Sequence, residues 1–171
     1  MSILKKNGFP DINDRIIYSS LEKIFIPGRF EVLSENPLII YDPAHNFNAL
    51  NNLINEIKEL YHNKKIVYII SLMTDKADDK TLDLFNPMKN QVIYHLLNDT
   101  RAYIPRHGRF TYVASDPYII IELMNSMYND DAIFLFTGTF RLYESASWIT
   151  NSFKNIFSMK NPVRRSYEIE G

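Results

Sequence analysis

An aspartate, a histidine and an asparagine fall within one short stretch, Asp42-Pro43-Ala44-His45-Asn46. Asp42 closes an apolar run of strand length, and His45 and Asn46 open the helix that follows. The Asp–His spacing of three lets a carboxylate and an imidazole face one cleft, and a helix N-terminus beside them favours anions. A structural reading stands next to this one: Asp42 and Asn46 cap the helix and His45 lies on the surface. Three other polar loops invite the same two readings. Thr137-Gly138-Thr139 either makes a tight strand-to-helix turn with Thr139 as cap, or offers a hydroxyl and backbone N–H groups to an anion. Lys76, in Thr74-Asp75-Lys76, is either solvated or a cation facing a carboxylate or phosphate. Arg101, in Asp99-Thr100-Arg101, is a surface arginine unless its loop folds inward. Arg29 stands at the head of the first strand and could reach the same edge.

These loops belong together only if the strands before them run parallel. The periodicity says that they do. The segment 29–34 reads as a short strand, and Glu35-Asn36-Pro37 as a turn. Leu38–Asp42 is a continuous apolar strand. Phe47, Leu50, Leu53, Ile54, Ile57, Leu60 and Tyr61 then recur at helical spacing. Further strands are expected at 65–72, 91–97, 110–115 and 132–136. A short helix precedes the second of these. A helix begins at Asp116-Pro117, with Ile120, Leu123, Met124 and Met127 as its inner stripe. A last helix follows Thr139, its face including Leu142, Ser145, Ala146, Ile149, Phe153 and Ile156. Buried strands alternating with helices predict an α/β fold: three layers, Rossmann-like, a mostly parallel sheet with helices on both faces. In such sheets ligands bind outside the carboxyl ends of the strands, where the four polar loops lie. Ahead of this unit, Ile12, Ile16, Ile17, Leu21 and Ile24 form an amphipathic helix that starts at Asp11 and reads as an appendage. The last residues, 161–171, form a polar tail.

The chain has 171 residues with a net charge of −1, which argues against a nucleic-acid footprint. It has no cysteine, which excludes a disulfide scaffold, a thiolate metal site and a cysteine nucleophile. No stretch reaches the roughly 18 apolar residues of a membrane span, and the start lacks a signal-like apolar run. A cytoplasmic location is the expectation. No glycine-rich phosphate loop, no dinucleotide fingerprint and no nucleophile elbow occurs. His62, His95 and His107 lack ligand spacing, so no metal site is expected.

Taken together, the segments Pro27-Gly28-Arg29-Phe30-Glu31, Tyr41-Asp42-Pro43-Ala44-His45-Asn46, Asp75-Lys76, Arg101-Ala102 and Thr137-Gly138-Thr139 resemble the C-terminal domain of folylpolyglutamate synthase/dihydrofolate synthase, of the Mur ligase superfamily. The resemblance runs from about Gly8 to about Phe157. The family pattern is PGR-x-E, a strand ending in D-G-A-H-N, D-K-D, R-A and T-G-S. Here Pro43 replaces the usual Gly, Ala77 the second acid of D-K-D, and Thr139 the Ser.

The resemblance implies an ATP-dependent amide ligase. A folate or dihydropteroate carboxylate is phosphorylated, and the amino group of glutamate attacks the acyl phosphate. By position, Arg29 and His45 would be catalytic, and Arg29, Asp42 and His45 would bind ATP. Asn46, Lys76 and Thr139 would lie near the glutamate carboxylates. Mg²⁺ would be bound mainly by an N-terminal phosphate-loop domain, the expected partner in cis or trans. Residues 1–26 would be the end of a central domain with its linker helix, 27–160 the C-terminal α/β domain and 161–171 the tail. A chain of this extent would be inactive alone. The competing expectation is a non-catalytic binding or interaction module that keeps the fold.

Overall fold

Six strands and four α-helices account for most of residues 28–160, the part that the computed structural model describes. The opening helix expected from Asp11 and the polar tail expected at 161–171 lie outside the described residues. The strands are β1 (Glu31–Glu35), β2 (Leu38–Asp42), β3 (Lys65–Ile70), β4 (Gln91–His95), β5 (Tyr112–Ala114) and β6 (Ala132–Thr137). The helices are α1 (Phe47–Leu60), α2 (Asp79–Asp83), α3 (Pro117–Met127) and α4 (Tyr143–Lys160).

The sheet order is β1-β2-β6-β3-β4-β5. β2, β6, β3, β4 and β5 are mutually parallel, and β1 returns antiparallel onto β2. Side-chain alternation divides the core in two. Ile39, Tyr41, Val67, Ile69, Phe134 and Phe136 meet α3 and α4 on one face. Ile40, Tyr68, Ile70, Ile133 and Leu135 meet α1 and α2 on the other. With both faces covered, a strand needs apolar residues at every position, which is why β2 and β6 read as unbroken apolar runs. The expected three-layer α/β architecture is the observed one.

Local chemistry sets the helix starts. The Asn46 side chain accepts from Ala49 N at 3.0 Å and caps α1. Asp116 accepts from Tyr118 N at 2.9 Å and caps α3, whose first residue is Pro117. On α1, Leu50, Leu53, Ile54 and Ile57 are buried, whereas Phe47 and Leu60, near the two ends of the expected stripe, are exposed. On α3, Ile121 joins Ile120 and Met124 in the core, and Leu123 and Met127 are only partly covered. Three strands stop earlier than their apolar runs do. β3 ends at Ile70, β4 at His95, and β5 is confined to Tyr112–Ala114. Beyond the first two, the backbone pairs outside the ladder: Tyr103 N donates to the Leu72 carbonyl at 2.8 Å, and Leu96 N to the Ala114 carbonyl at 2.8 Å.

β2 and β6 are neighbours, yet β2 leads to α1 on one face and β6 leads to α4 on the other. A crevice therefore opens between their carboxyl ends, the place where sheets of this kind bind ligands.

Candidate functional site

Asp42 ends β2 at this crevice, paired in register with Thr137 of β6. Its Oδ1 accepts from Ala44 N at 2.8 Å, and its Oδ2 accepts from Phe30 N at 2.9 Å. It is not a cap of α1, as the structural reading of the sequence had it; Asn46 alone holds that position. The bond to Ala44 passes over Pro43, which has no N–H to offer, so the loop accommodates the proline without losing this donor. The bond to Phe30 folds the segment bearing Arg29 back onto the loop. That segment is conformationally unusual: Gly28 has φ +75° and Phe30 has φ +42°, the latter rare for a residue with a side chain. Gly28 N also donates to the Glu31 carboxylate, which accepts from the Tyr143 hydroxyl at 3.2 Å.

His45 is half-buried. Its Nδ1 lies 2.9 Å from the Pro43 carbonyl. A carbonyl only accepts, so Nδ1 carries the hydrogen and Nε2 is left for a ligand. The ring packs against Phe140, with centroids 5.7 Å apart. Arg29, Asp42 and His45 line one cavity of about 290 Å³. Arg29 is exposed, and its guanidinium forms no ion pair among the described residues. The cavity thus offers a guanidinium, a carboxylate with lone pairs to spare and an imidazole nitrogen, set against the aromatic face of Phe140. That donor and acceptor set suits a phosphorylated, hydroxyl-bearing ligand.

The other three residues singled out from the sequence follow the carboxyl ends of their strands but do not line this cavity. Asn46 spends its carbonyl on the helix cap, leaving its NH₂ as donor. Thr139 is buried; its hydroxyl oxygen accepts from Arg141 N at 3.4 Å, and its backbone carbonyl accepts from the Tyr41 hydroxyl at 3.1 Å. Lys76 pairs with its neighbour Asp75 at 3.2 Å and holds that carboxyl below its ordinary value. Arg101 is exposed, as a surface arginine would be. Its backbone carbonyl accepts from Thr74 N at 2.9 Å, which ties two of the polar loops together.

Gly138 explains the glycine of the Thr-Gly-Thr turn. Its φ is +110°, and a Cβ there would stand 2.2 Å from the Ser71 carbonyl oxygen. The loop after β6 can lie this close to the loop after β3 only without a side chain.

Several contributors escaped the sequence reading. Asn52 and Glu56 line the cavity from α1. They follow Ala49 at three and seven residues, a spacing that puts all three on one helical face, but attention to the apolar stripe hid them. Phe140 is 58% exposed beside the site, and nothing in its sequence neighbours marks it. Asp99, with 13% of its side chain exposed, pairs with Arg141 at 2.6 Å and so clasps the loop after β4 to the turn after β6. His95 is buried: Nδ1 lies 3.2 Å from the Ala114 carbonyl and Nε2 2.7 Å from the Ser145 hydroxyl. Burial holds its pKa below the ordinary imidazole value. Among the described residues, no group of three or more His, Asp or Glu side chains could hold a metal ion. None of the described helices is long and apolar enough to cross a membrane.

Comparison with known proteins gives this geometry a setting. The family described as "Mur ligase, glutamate ligase domain" matches residues 28–140. A dihydrofolate synthase/folylpolyglutamate synthase from Buchnera aphidicola subsp. Baizongia pistaciae is 25% identical over 167 residues, 91% of this chain and 38% of that protein. The protein of the same name from Bacillus subtilis is 27% identical over 128 residues, 75% of this chain and 28% of its own length. The chain therefore spans less than two fifths of these relatives. Among solved structures, Escherichia coli FolC in complex with DHPP and ADP superposes with a TM-score of 0.64 at 18% identity, covering 92% of this chain and 37% of that one. Mycobacterium tuberculosis folylpolyglutamate synthase, complexed with ADP and AMPPCP, gives 0.64 at 19% identity, over 83% and 35%. At these identities the superpositions speak for the fold.

Proposed function

The chain belongs to the Mur ligase family through its glutamate ligase domain, and from that premise we propose that it is the nucleotide- and glutamate-handling lobe of an ATP-dependent folate-type amide ligase. The observation that carries this reading is the meeting of Arg29, Asp42 and His45 around one cavity at the β2–β6 crevice.

ATP supplies the phosphoryl group that turns the acceptor carboxylate into an acyl phosphate. Around it, Arg29 neutralises charge on the phosphates, where an exposed guanidinium can swing to meet them. Asp42 accepts from ribose hydroxyls through the lone pairs that its two backbone bonds leave. His45 contacts the nucleotide or its phosphates through Nε2. The α-amino nitrogen of glutamate then bonds to the acyl carbon and loses its proton, phosphate departs, and an amide remains. Asn46 NH₂, the Thr139 hydroxyl and Lys76 provide donors for the glutamate carboxylates, with Lys76 exchanging Asp75 for the substrate. Mg²⁺ and the acceptor are held mainly by a phosphate-loop partner domain, whose closure over this lobe keeps water from the acyl phosphate. The chain alone is inactive, and the reaction is cytoplasmic.

A second reading, a non-catalytic module with the same fold, draws on one observation: both Asp42 oxygens already serve backbone N–H groups. The deciding experiment is ATP-dependent glutamate addition to dihydropteroate or tetrahydrofolate. The chain is assayed alone and mixed with a protein carrying the phosphate-loop and central domains. Activity in the mixture only is the expected result. Turnover by the chain alone would refute the division of labour, and a nucleotide-free, inactive but assembled mixture would favour the second reading.

A further inference from the structure

The backbone on either side of Arg29 is held by a carboxylate. Phe30 N donates to Asp42 at 2.9 Å, and Gly28 N donates to Glu31. The turn bracketed in this way takes positive φ at Gly28 (+75°) and at Phe30 (+42°). A phenylalanine rarely adopts such a backbone, and it persists only where the surroundings over-determine it. Here two carboxylates do so, one at each end of a single residue. The guanidinium between them forms no ion pair among the described residues and lines the cavity.

Glu31 is itself seated from the body of the domain. Its second oxygen accepts from the hydroxyl of Tyr143, the first residue of α4, at 3.2 Å. The Tyr143 ring meets that of Tyr41 edge to face, with centroids 5.0 Å apart. Tyr41 is buried, and its hydroxyl donates to the Thr139 carbonyl at 3.1 Å. Gly28 lies against both rings: a Cβ there would stand 3.5 Å from Tyr41 and 3.7 Å from Tyr143. Closing the turn at Gly28 takes one carboxylate oxygen. The other, given to α4, ties the Arg29 turn to the helix that follows the Thr-Gly-Thr loop.

We propose that Glu31, oriented by Tyr143, is a positioning residue for Arg29 and fixes where the guanidinium meets the phosphates of a nucleotide. This inference rests on the reading of Arg29 as a phosphate contact. Asp42 anchors the turn from the end of β2 and Glu31 anchors it from the start of α4. The exposed arginine therefore starts from a fixed backbone, and less ordering is left to the moment of binding.

Glu31→Gln tests the proposal because it keeps the shape and removes one acceptor. A glutamine amide has a single oxygen, so it cannot accept from both Gly28 N and the Tyr143 hydroxyl. The sign of the effect is diagnostic. Loss of a negative charge beside the cavity would by itself strengthen the binding of an anion, whereas loss of positioning weakens it. ATP and adenosine are titrated by calorimetry into the 171-residue chain. Glu31→Gln should raise the Kd for ATP at least about fivefold, and Tyr143→Phe about two- to fivefold. Adenosine, which has no phosphate, should bind parent and variants alike. In an Arg29→Ala background, Glu31→Gln should change the Kd for ATP less than about twofold, because its effect passes through Arg29. Circular dichroism checks folding, and if Glu31→Gln fails to fold, Tyr143→Phe is judged by the same criteria. Unchanged or tighter ATP binding, equal weakening of ATP and adenosine, or full additivity with Arg29→Ala would each overturn the proposal and leave the role of Arg29 standing. A parent chain that binds no ATP, or whose ATP binding Arg29→Ala does not weaken, would remove the phosphate reading and this inference together.

Discussion

Asp42 reaches back twelve residues to accept the Phe30 N–H at 2.9 Å, and so anchors the segment that carries Arg29 over the β2–β6 crevice. One carboxylate thereby does two things: it closes the loop before α1 and fixes where the guanidinium begins. Asp42→Ala removes two charge-assisted bonds to backbone N–H groups, each worth about 1.5–3 kcal/mol. Stability measured by urea denaturation should fall by about 3–6 kcal/mol, the sum for the two bonds. In the proposed reconstituted ligase kcat/KM should fall further than it does for Arg29→Ala, because both the proposed ribose contact and the Arg29 anchor are lost. Equal losses for the two variants would show that the anchor does not matter to catalysis.

Arg29→Ala gives the complementary pattern. The residue is exposed and its guanidinium forms no ion pair among the described residues, so stability should change by less than about 0.5 kcal/mol. Loss of the proposed charge-assisted contact to phosphate should still lower kcat/KM by about tenfold to a hundredfold. A clear loss of stability with unchanged kinetics would reverse the assignment.

Gly138→Ala tests the close approach behind the site. The new Cβ would stand 2.2 Å from the Ser71 oxygen at a φ of +110°. Backbone strain and collision together should cost more than about 3 kcal/mol. Gly108→Ala, at φ +77° with nothing within 4 Å, is the control for strain without collision. It should cost about 1 kcal/mol. Similar midpoints for the two variants in urea would contradict the packing described.

What the sequence made legible follows from the range of the forces involved. Leu38–Asp42 appears in the structure with the same bounds as its apolar run, because a strand buried on both faces needs a hydrophobe at each position. Asn46 could be read as a cap, and Asp116-Pro117 as the start of a helix, because a cap acts over two or three residues. The Asp42–Phe30 bond, the Asp99–Arg141 clasp and the contact of His45 with Phe140 could not, since each joins residues brought together only by the tertiary fold. Lys76 shows the converse. Its place after the carboxyl end of a strand was legible, but its pairing with Asp75 depends on the tight turn of Thr74–Lys76.

His95 supplies a pH dependence whose sign can be worked out. The Ala114 carbonyl only accepts, so Nδ1 carries the hydrogen and Nε2 accepts from the Ser145 hydroxyl. Protonating Nε2 would turn it into a donor and break that arrangement in a buried place. Desolvation is the main cause of the lowered pKa, with the Ala114 carbonyl acting in the opposite sense. The unfolded chain has an ordinary histidine value near 6.5. Between that and the lower folded value, unfolding takes up a proton, so stability is full above about pH 6.5 and falls as the pH drops towards the folded value. The slope can approach about 1.4 kcal/mol per pH unit. His95→Gln has no such titration. The stability advantage of the parent chain over this variant, measured in urea at about pH 7.5, 6.5 and 5.5, should be nearly equal at the first two and smaller at the third. An advantage that stays constant across the three would mean that His95 is protonated equally in the folded and unfolded chains, and that the Ser145 bond does not depend on a neutral ring.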